Sequence, residues 1–341
     1  MPALEVKDLT TRFRTDDGIV QAVSGVSFSV DKGRTLGVVG ESGSGKSVTF
    51  LTVMGLLDPR QSEVTGSVLL HGQEMLGASQ ARLRDIRGVK IGMIFQDPMT
   101  SLNPVKTIGW QLEEAVLIHQ DVSKKQARTR AIEVLKEVEI PHAEQRVDAY
   151  PHQFSGGMRQ RVMIAMALIN NPEILIADEP TTALDVTTQA QILRLMERLQ
   201  DDMGMAIVMI THDLGVVAEL ADDVIVMYGG RVVEQAEVND LFAKPEMPYT
   251  WGLLGSLPRL NSSGGRLEQI PGQPPSLLHP PSGCSFHPRC EFVMDICRTE
   301  LPGLDASPVG VDHRFRCHLD DEARARIWEQ KRAATMSEDA A

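Results

Sequence analysis

The sequence predicts an α/β domain on a mixed sheet, interrupted by a helical insertion and followed by a small, irregular, cysteine-containing C-terminal domain. Three observations predict it. Apolar runs at Ile174 to Ala177, Ala206 to Ile210 and Val224 to Tyr228 are nearly continuous, as in strands of a parallel sheet covered by helices on both faces. Over about residues 97–172 β-branched runs thin out and helical spacing replaces them. Beyond Asn239 the chain turns rich in Pro and Gly, and all four cysteines lie there.

Each element follows from local chemistry. Leu4 to Lys7, Val26 to Val30 and Thr35 to Val39 read as strands from their β-rich composition between turn residues. Ser47 to Leu57 reads as a helix, and Ile108 to His119 and Ser123 to Val138 space their apolar residues as amphipathic helices. Gly229-Gly230, between Val224 to Tyr228 and Arg231 to Gln235, marks a hairpin, because glycine accepts the positive φ of a tight turn. That hairpin closes a first domain of residues 1–235, leaving 236–341 as the second. Ile270 to Pro281 cannot form a regular helix or a central strand, since its prolines lack the donor N–H. The last stretch reads as helical from Asp320 to Ala334 and frayed beyond.

Composition narrows the function. At 341 residues the chain has room for one large domain and a smaller one. With 42% apolar and 23% charged residues it is neither disordered nor fibrous. A net charge of −12 argues against nucleic acid as a partner, because phosphate-backbone binding rests on clustered Lys and Arg. The longest apolar stretches, such as Val162 to Ile169, fall far short of the roughly 18 residues that span a bilayer. The N-terminus lacks a basic segment followed by an apolar one, so no secretory signal is expected and the cytoplasmic side is the default.

Gly40-Glu41-Ser42-Gly43-Ser44-Gly45-Lys46-Ser47 matches the P-loop pattern and lies between a predicted strand and a predicted helix, the context that gives the pattern its meaning. Gly40, Gly43 and Gly45 let the backbone turn so that amide N–H groups, with that of Ser42 among them, face an anion. Lys46 is then expected on the β- and γ-phosphates of ATP, and Ser47 on Mg²⁺. Asp178 and Glu179 close a buried strand, where open α/β sheets place their ligand crevice. Asp178 suits Mg²⁺ and Glu179 suits polarising the attacking water. The same pair would also serve as a helix cap, so the remaining motifs decide between the two readings.

Those motifs resemble the ABC ATPase family over Leu4 to about Gln235. Phe154-Ser155-Gly156-Gly157-Met158 stands where the family carries its signature loop, Gln96 follows the run IGMIF, Ala183-Leu184-Asp185 follows the acidic pair, and His212 follows AIVMI. The resemblance implies that Ser155 and Gly157 touch ATP held by a partner subunit in a head-to-tail dimer, and that Gln96 ligates Mg²⁺ and senses the γ-phosphate. It also implies that Asp185 shapes the dimer contact and that His212 holds the γ-phosphate and the water. Phe13 either stacks on adenine, as the family's early aromatic does, or belongs to the core. Met158 departs from the usual Gln at the end of the loop, which implies altered affinity rather than lost hydrolysis.

FQDPMTSLNPVKTIGWQL and a tail containing Pro248-Tyr249-Thr250 and IPGQPPSLLHPPSGCSFHPRC resemble the dipeptide and oligopeptide importer branch. The resemblance implies a motor at the cytoplasmic face of the membrane. Its implied partners are a second ATP-binding subunit, preferably a paralogue, two transmembrane permease subunits and, indirectly, an extracytoplasmic peptide-binding protein. A nickel or other small-solute importer and a soluble, non-transport ATPase are the alternatives. Cys284, Cys290, Cys297 and Cys317 contain no Cys-x-x-Cys pair, which disfavours a zinc ribbon. Four thiolates from a loop-rich segment suit a 4Fe-4S cluster, which relatives of this branch carry. Four reduced, partly buried thiols are the other reading, and His287, His313 and His318 leave room for a mixed ligand set.

Overall fold

Strands supply the frame. The computed structural model describes residues 2–97, 101–182, 184–256, 269–308 and 312–338, the side chains of 334–338 excepted. Residues 98–100, within the segment that resembles the importer branch, and Ala183, beside Asp185, lie outside the described residues. The strands run β1 (Leu4–Thr15), β2 (Gly18–Val30), β3 (Thr35–Val39), β4 (Ser62–Leu70), β5 (Gln73–Glu74), β6 (Ile91–Ile94), β7 (Ile174–Asp178) and β8 (Ala206–Thr211). They continue with β9 (Asp223–Tyr228), β10 (Arg231–Glu237), β11 (Asp305–Ala306) and β12 (Arg314–Phe315). The chain divides into two compact units that interleave along the sequence.

One unit holds residues 1–5, 29–35 and 69–210. Its β6, β7 and β8 are parallel, with Ile91 opposite Ile174 and Ile174 opposite Ala206. Every residue of β7 and β8 is buried, which explains their unbroken apolar runs. Between β6 and β7 the chain is helical, at Ile108–Leu117, Lys124–Glu137, Ala143–Arg146 and Gly156–Leu168. The second of these starts with a capping box in which Ser123 and Gln126 satisfy each other's main-chain N–H.

The other unit holds residues 6–28, 36–68 and 211–341. Here β3 and β9 are parallel, β9 and β10 antiparallel, and β12 pairs antiparallel with both β10 and β11, so the sheet is mixed as expected. β1 and β2 run far longer than their apolar stretches suggest, because β1 alternates buried and exposed residues (LEVKDLTTRFRT) and its charged positions face water. Gly229 and Gly230 both take positive φ, 56° and 76°, as a two-residue hairpin turn requires. The helix after the P-loop is shorter than expected, Lys46–Val53, and ends at Met54 beside Gly55 in the left-handed region. Residues 269–283 form no helix or strand, whereas Pro248–Gly255, Asp295–Thr299 and Asp321–Glu338 are helical. No helix among the described residues is long and apolar enough to cross a membrane.

Candidate nucleotide-binding site

The P-loop joins β3 to the helix Lys46–Val53. Gly45 caps that helix at φ 98° with no side-chain cap bond, and no acidic residue occupies its first turn. A helix N-terminus of this kind favours an anion of phosphate size. The loop is gripped from below: the Gly230 N–H donates to the Ser44 carbonyl at 3.0 Å, and the Ser24 N–H donates to the Gly230 carbonyl at 2.8 Å. Lys46 is only 5% exposed, and its Nζ donates to the carbonyls of Gly40 (2.6 Å) and Glu41 (3.0 Å). The Ser44 hydroxyl is buried without a hydrogen-bond partner, and Ser42 and Gly43 are exposed at the mouth. A buried ammonium beside a glycine-rich loop at a helix N-terminus fits a polyphosphate.

Gly40 has no substitute. At φ 150°, an added Cβ would lie 2.2 Å from the Met227 carbonyl oxygen. Gly40→Ala is expected to weaken nucleotide binding by at least about tenfold, as displacement of a preorganised loop does. Titration of the full chain with a fluorescent ATP analogue checks this.

Phe13 sits half-buried on β1 in the same unit. His212 belongs there too: it is exposed just after β8, and its neighbours pin the backbone. The Asp213 N–H donates to the Thr211 hydroxyl at 3.0 Å, and the Asp213 carboxylate accepts from the Gly215 N–H at 2.8 Å.

The remaining candidates belong to the unit of β6–β8. Asp178 ends β7 with its carboxyl buried. Glu179 adopts φ 48°, a conformation L-residues rarely hold, and its N–H donates to the Ile210 carbonyl at 2.9 Å, extending the β7–β8 pairing by one residue. Its carboxylate Oε2 accepts from Gln96 Nε2 at 3.1 Å and from the Thr182 hydroxyl at 2.8 Å. Gln96 and Glu179, far apart in sequence, are thus brought together. Thr182 is the residue sequence reading missed; its position three residues after Glu179, within one turn, was the available signal.

Ser155 caps the helix Gly156–Leu168 by accepting from the Met158 N–H at 3.3 Å. Ser155 and Gly156 are exposed, so this helix start faces solvent. At Gly157 a Cβ would fall 2.7 Å from the Thr188 methyl, so a side chain there would push on the helix Val186–Met203. Asp185 caps that second helix, accepting from the Thr188 N–H (2.9 Å) and hydroxyl (2.7 Å). Those bonds, the backbone one foremost, hold its carboxyl below the usual carboxylate range.

All four cysteines are free thiols, in or against one apolar cluster with Tyr228, Tyr249 and Phe286. The His287 N–H donates to the Cys284 carbonyl at 3.0 Å, and the Cys284 N–H donates to the Cys297 carbonyl at 2.9 Å. Burial pushes the Cys290 thiol up to about 11 and the Cys317 thiol up to about 12. Among the described residues no group of three or more His, Cys, Asp or Glu side chains is placed to hold a metal ion. His313 is committed elsewhere, bonded to Glu234 at 2.8 Å, and His318 meets the Glu300 carbonyl at 3.0 Å.

Comparison with known proteins accounts for both parts of the chain. Residues 23–182 match the family model described as ABC transporter, and residues 233–297 match that described as oligopeptide/dipeptide transporter, C-terminal region. A probable peptide ABC transporter ATP-binding protein of Sinorhizobium fredii, y4tR, is 53% identical over 94% of this chain and 95% of its own length. The oligopeptide transport ATP-binding protein OppD of Bacillus subtilis is 54% identical over 88% of this chain and 85% of its own. Among solved structures, the ATP-binding cassette MJ0796, a post-hydrolysis dimer bound to ADP and phosphate, aligns with a TM-score of 0.62 and 31% identity. It covers 69% of this chain and 98% of its own.

Proposed function

The chain belongs to the ABC transporter family of ATP-binding proteins, and we propose that it is the ATP-hydrolysing motor of an importer for dipeptides and oligopeptides. The observation that carries the peptide reading is the presence, on one chain, of both the cassette and the C-terminal region of oligopeptide/dipeptide transporters. In this reading residues 1–235 are the nucleotide-binding domain, with a helical insertion over about 97–172, and residues 236–341 are the transporter-specific extension.

Lys46 and the amides of Gly40 to Gly45 hold the triphosphate, and Phe13 meets the adenine. Ser47, Gln96 and Asp178 supply the hard oxygen donors that suit Mg²⁺, whose charge offsets that of the phosphates. Glu179 takes the proton of the attacking water as its oxygen bonds to the γ-phosphorus and the bond to ADP breaks. Its orientation by Gln96 and Thr182 supports that role, since a base must be aimed. His212 steadies the γ-phosphate. Ser155, Gly157 and Asp185 serve the neighbouring subunit's nucleotide in a head-to-tail dimer, a reading supported by the exposure of Ser155 and by the dimeric state of the similar cassette. The partners are a second ATP-binding subunit, by preference a paralogue, and two permease subunits at the cytoplasmic face of the membrane, where a peptide-binding protein delivers cargo from outside.

Cys284, Cys290, Cys297 and Cys317 are the ligands of a 4Fe-4S cluster in this reading. What supports it is donor type: four free thiols lie in or against one apolar cluster. Bound there, the cluster would cross-link a Pro-rich segment. In chain stripped of metal, iodoacetamide should label Cys290 and Cys317 slowly near pH 8 and about tenfold faster per pH unit up to the thiol pKa, because only the thiolate reacts. Rapid labelling of both near pH 8 would contradict their burial.

Affinity purification from native membranes, followed by mass spectrometry and an ATPase assay, tests the whole assignment. Two multi-span proteins and a second ATP-binding subunit should come with the chain, and the complex should hydrolyse ATP. Recovery of ribosomal or nucleic-acid proteins without membrane subunits would overturn it.

A further inference from the structure

Glu41, the second residue of the P-loop, is anchored through every polar group it has. Its N–H donates to the Tyr249 hydroxyl at 2.8 Å, and its carbonyl accepts from Lys46 at 3.0 Å. Its carboxylate takes both ends of the Arg289 guanidinium, Nη1 to Oε2 at 2.5 Å and Nη2 to Oε1 at 3.0 Å. Arg289 comes from the cysteine-bearing segment, next to Cys290, and is itself immobilised. Its Nε donates to the Pro271 carbonyl at 2.8 Å, Nη2 also to that of Ile270 at 3.2 Å, and Nη1 to the Tyr228 hydroxyl at 3.3 Å. Its side chain is 4% exposed against 26% for Glu41, so the fork is held rigidly and solvent screens the pair little. Tyr249 is fully buried against Tyr228 and Phe286, with ring centroids 4.5 and 5.4 Å away.

We propose that Arg289 and Tyr249 are positioning residues for ATP binding: through Glu41 they hold the P-loop in its receptive shape, so the four-cysteine segment sets the grip of the nucleotide site. This rests on the reading of the P-loop as an ATP cradle. To reach phosphates, Lys46 must leave the carbonyls of Gly40 and Glu41, and Glu41 is then fixed by Tyr249 and Arg289. Loop amides must sit within about half an ångström of their working positions, and these two anchors supply that constraint. Neither residue reaches the reaction itself, so they govern affinity and leave turnover alone.

The test is titration of the full-length chain and of Arg289→Gln and Tyr249→Phe with MANT-ATP and Mg²⁺, beside their melting temperatures and steady-state kinetics in the assembled transporter. Both substitutions are close in shape, and Tyr249→Phe removes one hydroxyl. The dissociation constant should rise about tenfold for Arg289→Gln and about fivefold for Tyr249→Phe, the scale of single lost hydrogen bonds. Because both act on one residue, the double variant should lose less than the product of the two. In the transporter KM for ATP should rise while kcat stays within about twofold. Unchanged affinity in a chain that melts like wild type would overturn the proposal. So would an affinity loss that only tracks the unfolded fraction, or a fall in kcat at constant KM. Failure of the wild-type chain to bind MANT-ATP would instead remove the ATP reading itself.

Discussion

Glu179→Gln lowers ATP turnover of the assembled transporter by roughly two to four orders of magnitude, the usual span for loss of a positioned general base, while nucleotide binding persists. The substitution is nearly isosteric and keeps an acceptor for the Gln96 amide and the Thr182 hydroxyl, so the local frame at φ 48° is preserved. What is lost is a basic oxygen for the water's proton. Turnover is read from phosphate release at saturating ATP, and binding from MANT-ATP titration. Equal turnover of wild type and variant would move the base elsewhere, whereas loss of binding would mean that Glu179 supports the fold. Thr182→Ala offers a graded control. It removes one of two donors to the carboxylate, and a fall of about tenfold is expected from the lost orientation.

The second large effect concerns stability. Glu246→Ala should destabilise the unit of residues 6–28, 36–68 and 211–341 by about 3 kcal/mol, because it leaves a buried guanidinium with only the exposed Asp321 carboxylate as its counter-charge. Arg324 Nε meets the Glu246 carboxylate at 2.6 Å, with both side chains nearly inaccessible at 3% and 4%. The Ser307 hydroxyl also donates to Glu246, at 2.9 Å. The same corner is tied to β10. Glu234, completely buried, accepts from the Glu246 N–H at 2.6 Å, the Met247 N–H at 3.2 Å and the His313 ring at 2.8 Å. For a unit of this size the loss corresponds to about 6–12 °C in melting temperature. Replacing Glu246 and Arg324 together by methionine should restore much of it, since no buried charge is then unpaired. If Glu246→Ala melts like wild type, the network is ornamental.

Legibility in the sequence followed chain distance. The P-loop, the acidic pair and the hairpin at Gly229-Gly230 could be read because their chemistry needs neighbouring residues. β3, β7, β8 and β9 could be read because burial on both faces leaves an unbroken apolar run. β1 could not be read to its full length, since Lys7, Asp8, Arg12 and Arg14 alternate with its buried positions. β5, β11 and β12 span two residues each and carry no periodicity at all. Interactions made across the chain were equally hidden. Nothing local to Gln96 announces a bond to Glu179, and nothing in a Pro-rich segment announces that Arg289 grips the P-loop. Composition does not record that residues 211–341 form one compact unit with 6–28 and 36–68.

That interleaving has a consequence for how the protein is made. Glu41 emerges from the ribosome early, yet its anchors Tyr249 and Arg289 lie 208 and 248 residues downstream. At common synthesis rates the interval to Arg289 is roughly ten to fifty seconds. During that time the cradle's sequence exists without its final clasp, and contacts of such long span are slow to form in any case. The full grip on nucleotide is thereby deferred until the cysteine-bearing segment has been translated and seated, so a half-made chain should hold ATP more weakly than the finished one.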